Sequence, residues 1–229
     1  MFGLTPGALI TRAIVLLVAA VVHEYAHARV AYAMGDDTAK SQGRMTLDPR
    51  ANMYWPGYLI GVFIGFAILG TAPVNKFRMR NPRWGMFWAV IAGPLSNLVV
   101  AALFAIPFRL GFVQPANIGI VANGVYVFPS LDSFLWAMVV FNVLLFVFNL
   151  LPLFPLDGWT VTLSVLPAGP AIWWERNRQN SQYVLFGLIA LSFLGGYLGR
   201  IPVIGPFVNV LDWLIGIPTN QIAYFLVGM

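Results

Sequence analysis

The sequence contains no cysteine among its 229 residues, which excludes disulfides and thiolate metal ligands. Charge is scarce. Asp, Glu, Lys and Arg make up 9% of the chain, against roughly 25% in soluble globular domains. Histidine is limited to His23 and His27, and glutamate to Glu24 and Glu175. In their place the chain is 59% hydrophobic, with a mean hydropathy of +0.79. A water-soluble fold of this length has too little interior to hide that much apolar surface, so lipid is the expected solvent. The formal net charge of +5 does not point to nucleic acid. The cations lie in short loops beside apolar runs, as in the cytoplasmic loops of membrane proteins.

Five apolar runs are read as full transmembrane helices: about 9–34, 84–106, 134–151, 183–198 and 203–227. A sixth, 58–72, has only 15 residues and fits a short or re-entrant segment. The polar stretch 35–56 is rich in Gly, Pro, Asp and Asn, and alternation near 44–47 fits a short surface strand after the first helix. The fold class expected is therefore an all-α polytopic membrane protein, in one membrane-embedded domain over 1–229. Its catalytic core spans about 9–160, with accessory helices over about 160–229. If the first span runs outside to inside and 58–72 re-enters, nine cations (Lys40, Arg44, Arg50, Lys76, Arg78, Arg80, Arg83, Arg176 and Arg178) fall on the cytoplasmic side. Arg12, Arg109 and Arg200 then face outward. If 58–72 spans fully, that asymmetry weakens.

The ionisable residues inside the first span need a reason, because a charge at the bilayer centre costs at least about 2.5–3.5 kcal/mol on insertion scales. His23-Glu24-Tyr25-Ala26-His27 is an HExxH motif. On a helix, residues i and i+4 share a face with about 6 Å of rise between them, so the two imidazoles can grip one zinc ion. Glu24, rotated by about 100°, flanks that metal and can take a proton from water. A catalytic zinc needs three protein ligands and an open position. With no third histidine, the remaining ligand must be a carboxylate. Asp36, Asp37 and Asp48 lie in a polar loop, and Asp132 and Asp212 fall at the other side in this topology. Asp157, in a proline-broken segment at matching depth, is the candidate ligand, a helix N-cap being its other reading. Asn149 either donates to a substrate carbonyl or oxyanion, or bonds a neighbouring helix. Asn97 carries the same two readings, with helix packing foremost.

HEYAH (23–27), AGPLSN (92–97) and NLLPLFPLDG (149–158) together resemble the site-2 protease family of intramembrane zinc metalloproteases, over about residues 15–160. The stretches GDDTAKSQGRMTLDP (35–49) and APVNKFRMRNPR (72–83) look like its small bacterial members. The resemblance implies one zinc per chain on His23, His27 and Asp157, Glu24 as the base that activates water, and Asn149 as a contact to the substrate. It also implies transmembrane segments of other proteins as substrates, and the bacterial cytoplasmic membrane as location, with the active site toward the cytoplasm. There is no room for the PDZ or CBS domains that many members carry. Trp159 departs from the small residue that often follows Asp-Gly. Two rival readings stay open: a catalytically inactive relative that binds membrane helices, and a metal-ion transporter, although no paired half-repeat is visible.

Overall fold

The computed structural model describes residues 5–65, 67–115, 121–122, 125–126, 130–198 and 210–229. Three long helices form its centre: α1 (Pro6–Ala33), α5 (Pro82–Arg109) and α6 (Leu131–Asn149). Each starts where its sequence provides a cap. Thr5 Oγ1 accepts from Ala8 N before Pro6, Asn81 Oδ1 accepts from Trp84 N before Pro82, and Ser130 Oγ accepts from Ser133 N. These three are the helices among the described residues that are long and apolar enough to cross a membrane.

Small residues let them pack closely. Gly85, Ala89, Gly93, Asn97, Ala101 and Ala105 recur every fourth residue along α5, and all are buried. On α1 the buried stripe includes Ala19, Ala20, His23, His27, Ala28 and Ala31. Residues spaced by four share a helix face, and small side chains there bring backbones together without needing a hydrophobic drive from lipid. One apolar cluster joins Leu16 and Ala19 of α1 to Met138, Phe141 and Leu145 of α6.

The short apolar segment doubles back on itself. Helix α4 (Trp55–Ile64) ends at Gly65, whose φ of 107° lies in the left-handed region open to glycine. The chain then returns extended. Met53 pairs with Gly70, Tyr54 N donates to Leu69 O, and Thr71 N donates to Asn52 O. At its far end Arg12, fully buried in α1, donates from one guanidinium nitrogen to Val62 O and Phe63 O, each at 3.1 Å.

Other expectations are corrected. The surface strand expected at 44–47 is absent: Arg44 Nε instead bonds Ala51 O and Asn52 Oδ1, which curls the loop around short helices α2 (Thr38–Ser41) and α3 (Pro49–Asn52). Extended pairing occurs instead at Met53 and Gly70, and in a two-residue antiparallel ladder, β1 (Val121–Ala122) with β2 (Val125–Tyr126). Among the described residues three full spans stand where five were expected. After α6 come α7 (Asp157–Val165), α8 (Ala168–Arg176) and α9 (Arg178–Leu198). The polar residues Arg178, Gln179, Asn180 and Gln182 open α9, and the apolar stretch 183–198 follows within the same helix. Helix also runs through most of 173–182. The expected final span begins in 199–209, outside the described residues, and ends in a π-helical turn (Asp212–Gly216) leading to α10 (Ile217–Val227).

Candidate metal centre and cleft

His23 and His27 project from α1 toward α5, and Asp157 reaches them from the first turn of α7. The Nε2 atoms of the two imidazoles are 3.0 Å apart. Asp157 Oδ2 lies 3.0 Å from His23 Nε2 and 3.2 Å from His27 Nε2. Both histidines are buried, 7% exposed. The sequence thus brings together residues 130 positions apart, and the reason is local. Helix α6 ends at Asn149, the proline-rich stretch 150–156 turns, and α7 starts against the end of α6. A Cβ on Gly158 would sit 2.3 Å from both Leu150 O and Leu151 O, so only glycine allows that approach. Asp157 makes no capping bond, which removes its N-cap reading.

The hydrogen bonds behind the imidazoles fix which nitrogen faces inward. His27 Nδ1 lies 2.8 Å from Ala89 O, an atom that can only accept, so Nδ1 carries the proton. His23 Nδ1 lies 2.7 Å from Asn97 Oδ1. The orientation of Asn97 follows from its amide nitrogen, which donates to Ala19 O at 3.1 Å and to Asn142 Oδ1 at 3.0 Å. Asn142 is fixed in turn by its bond to Met138 O. Asn97 Oδ1 must therefore accept, and His23 also carries its proton on Nδ1. In the neutral imidazoles both Nε2 lone pairs then point at one spot, together with Asp157 Oδ2.

Three acceptor atoms without a proton among them repel one another unless a cation lies between. Asp157 Oδ2 is buried and has no hydrogen-bond donor. Tetrahedral ligands at about 2.0–2.1 Å from zinc stand roughly 3.3 Å apart, close to the spacing found. The donor set thus fits a divalent metal of borderline softness. His23, His27 and Asp157 are the group among the described residues that could hold one. Gly93 makes room for it: a Cβ there would come within 2.3 Å of His27 Cε1 and 2.7 Å of His23 Nε2.

The three atoms open on a cavity of about 490 Å³. Glu24 lines it, 7% exposed, as does Asn149. One Asn149 amide hydrogen is bonded to Leu145 O at 3.0 Å. The returning strand 67–72 forms the opposite wall. All five residues singled out in the sequence therefore share one site. The sequence did not reveal Gly93, Ala89 and Asn142 as parts of its support, and Asn97 was read there mainly as packing. The four-residue spacing from Gly85 to Ala105 was the available signal, since it marks the face of α5 that meets α1.

A helix-borne histidine pair completed by a carboxylate, between long apolar helices, defines a membrane-embedded metal-site protein. The chain belongs to peptidase family M50, whose profile, described as Peptidase family M50, matches residues 11–192. It is 35% identical to "Putative zinc metalloprotease YwhC" of Bacillus subtilis over 196 residues, covering 86% of this chain and 84% of that one. It is 31% identical to "Putative zinc metalloprotease Rip2" of Mycobacterium tuberculosis over 209 residues, covering 86% of this chain and 70% of that one. No solved structure matches it.

Proposed function

We propose that this chain is an intramembrane zinc metalloprotease that hydrolyses peptide bonds within or near the transmembrane segments of other membrane proteins. The observation that carries the proposal is the convergence of His23 Nε2, His27 Nε2 and Asp157 Oδ2 within 3.2 Å, beside Glu24, in a cavity between apolar helices. Zinc held by those three residues would supply Lewis acidity, lowering the pKa of a bound water toward about 7.

The remaining work falls to side chains. Glu24 adjoins His23 and lines the cavity, where it takes the proton from the attacking water and delivers it to the departing amine nitrogen. Asn149 keeps one amide hydrogen on Leu145 O and turns the second to the carbonyl oxygen of the scissile bond, which gains negative charge during attack. Asn97 and Ala89 O hold the imidazoles in the tautomer that leaves Nε2 free. Membrane-spanning substrates suit the surroundings, because the cleft is lined by α1, α6 and the segment 67–72 and lies among long apolar helices. Its polar lining supplies the water that hydrolysis consumes. The resemblance to small bacterial members supports a bacterial cytoplasmic membrane, and the bias of Lys and Arg supports a cleft toward the cytoplasm.

The test is cleavage of a reconstituted transmembrane reporter by the purified protein and by Glu24→Gln. Wild type should cut, and Glu24→Gln should lose at least about 100-fold in rate while keeping its metal. A wild type that binds metal but cuts nothing would instead mark an inactive relative that holds membrane helices.

A further inference from the structure

A second cavity, of about 700 Å³, lies beside the first. The two share Thr160 and Arg178 on their linings, so they are neighbouring chambers along α7. Thr160, Leu163 and Ser164 present one face of α7 to the second chamber, and Trp159 adds its wall. Trp159 is held by Trp174 of α8, stacked with ring centroids 4.6 Å apart, and by Phe154 edge-on at 6.4 Å. The residue that departs from the family's small side chain thus builds this wall. Ala171 and Ile172 of α8 and Phe77 close the far side, and Phe77 is 83% exposed.

Charge at this chamber is unequal: Lys76, Arg83 and Arg178 against Glu175. Two of the cations are engaged. Arg83 donates to Ser164 O, Val165 O and Leu166 O, capping the end of α7. Arg178 lies 3.5 Å from Glu175 and over the Phe154 ring at 4.0 Å. Lys76 lies over the Phe77 ring, 5.3 Å from its centroid, and among the described residues it has no carboxylate within 4 Å, so its charge is the one there without an anion or a carbonyl.

We propose that this chamber is a substrate subsite. It receives the flank of the polypeptide that leaves the metal cleft past Asp157, and prefers a large apolar or aromatic residue followed by an acidic one. The inference rests on the proteolytic reading of the cleft. Leu163 is six residues beyond Asp157, about 9 Å of helix rise, which an extended chain covers in about three residues. The aromatic and aliphatic walls take the apolar side chain three or so residues from the scissile bond, and Lys76 meets the carboxylate beside it.

Two reporters test it, identical at the scissile bond. One carries Phe-Glu at the third and fourth flanking positions, and the other Gly-Ser. Wild type should cleave the Phe-Glu reporter with a KM about tenfold lower and kcat nearly unchanged. Ala171→Trp, which fills the chamber, should cleave both alike at the Gly-Ser level and keep its metal. The absence of native cysteine allows a second readout: Ile172→Cys in the Glu24→Gln background should form a disulfide with a cysteine placed at the third flanking position. Wild-type cleavage of both reporters with equal KM, and no such disulfide, would overturn the subsite and leave the peptidase reading intact. Cleavage of neither reporter would overturn the peptidase reading, and the subsite with it. A phospholipid that copurifies with wild type and is lost in Ala171→Trp, with both reporters cut alike, would assign the chamber to a lipid headgroup and overturn the proposal.

Discussion

Asn97 Oδ1 accepts a 2.7 Å hydrogen bond from His23 Nδ1, although 74 residues separate them. Its amide is meanwhile fixed to Ala19 O and Asn142 Oδ1. One carboxamide thus locks α1, α5 and α6 together and sets the tautomer of a histidine at the site. Outer partners of this kind typically change metal affinity by about 10–100-fold when lost. Asn97→Leu should weaken zinc binding by that order, read as zinc retained against increasing chelator, with Glu24 untouched. Unchanged zinc retention would reduce Asn97 to a packing residue.

Gly93 gives the sharpest steric expectation. Alanine there places a Cβ 2.3–2.7 Å from atoms of both imidazoles, so the histidines must move. Gly93→Ala should therefore lose most metal and activity. Gly187→Ala in α9, where an added Cβ meets nothing within 4 Å, should keep both and gain roughly 0.5–1 kcal/mol in helix stability. Zinc content and thermal unfolding in detergent of the two variants check the contrast.

Arg12 caps the buried end of α4 through Val62 O and Phe63 O. Arg12→Leu removes the donor from two carbonyls at a buried site, which costs on the order of 1–3 kcal/mol. The helix it holds leads directly into the strand 67–72 on the cleft wall. The variant should unfold at lower temperature and cleave more slowly, with zinc affinity near wild type because both histidines sit more than two turns along α1. Loss of zinc in step with activity would show that Arg12 supports the metal site itself.

Much of the site was legible because its chemistry needs rare residues. With two histidines, two glutamates and six aspartates in the chain, the HExxH spacing and one carboxylate at matching depth leave few combinations. That 58–72 makes no full-length helix was legible from its length, since 15 residues are short for a span. What escaped the sequence depends on contacts made across helices. Asn97 reads as a packing residue until its three partners are known. The strand expected at 44–47 gives way to Arg44, whose side chain bonds the neighbouring backbone, and hydropathy alone did not foresee that. The second chamber is assembled from α7, α8 and the start of α5, and no periodicity announces it.

The most direct test of the account is the metal content of the purified protein, measured beside His23→Ala/His27→Ala and Asp157→Ala. About one zinc per chain is expected in wild type, none in the double histidine variant, and weaker, chelator-sensitive binding in the aspartate variant. A folded wild type without metal, unable to take up zinc, would contradict a metal-dependent peptidase. Zinc retained at full occupancy after both histidines are lost would contradict the ligand set.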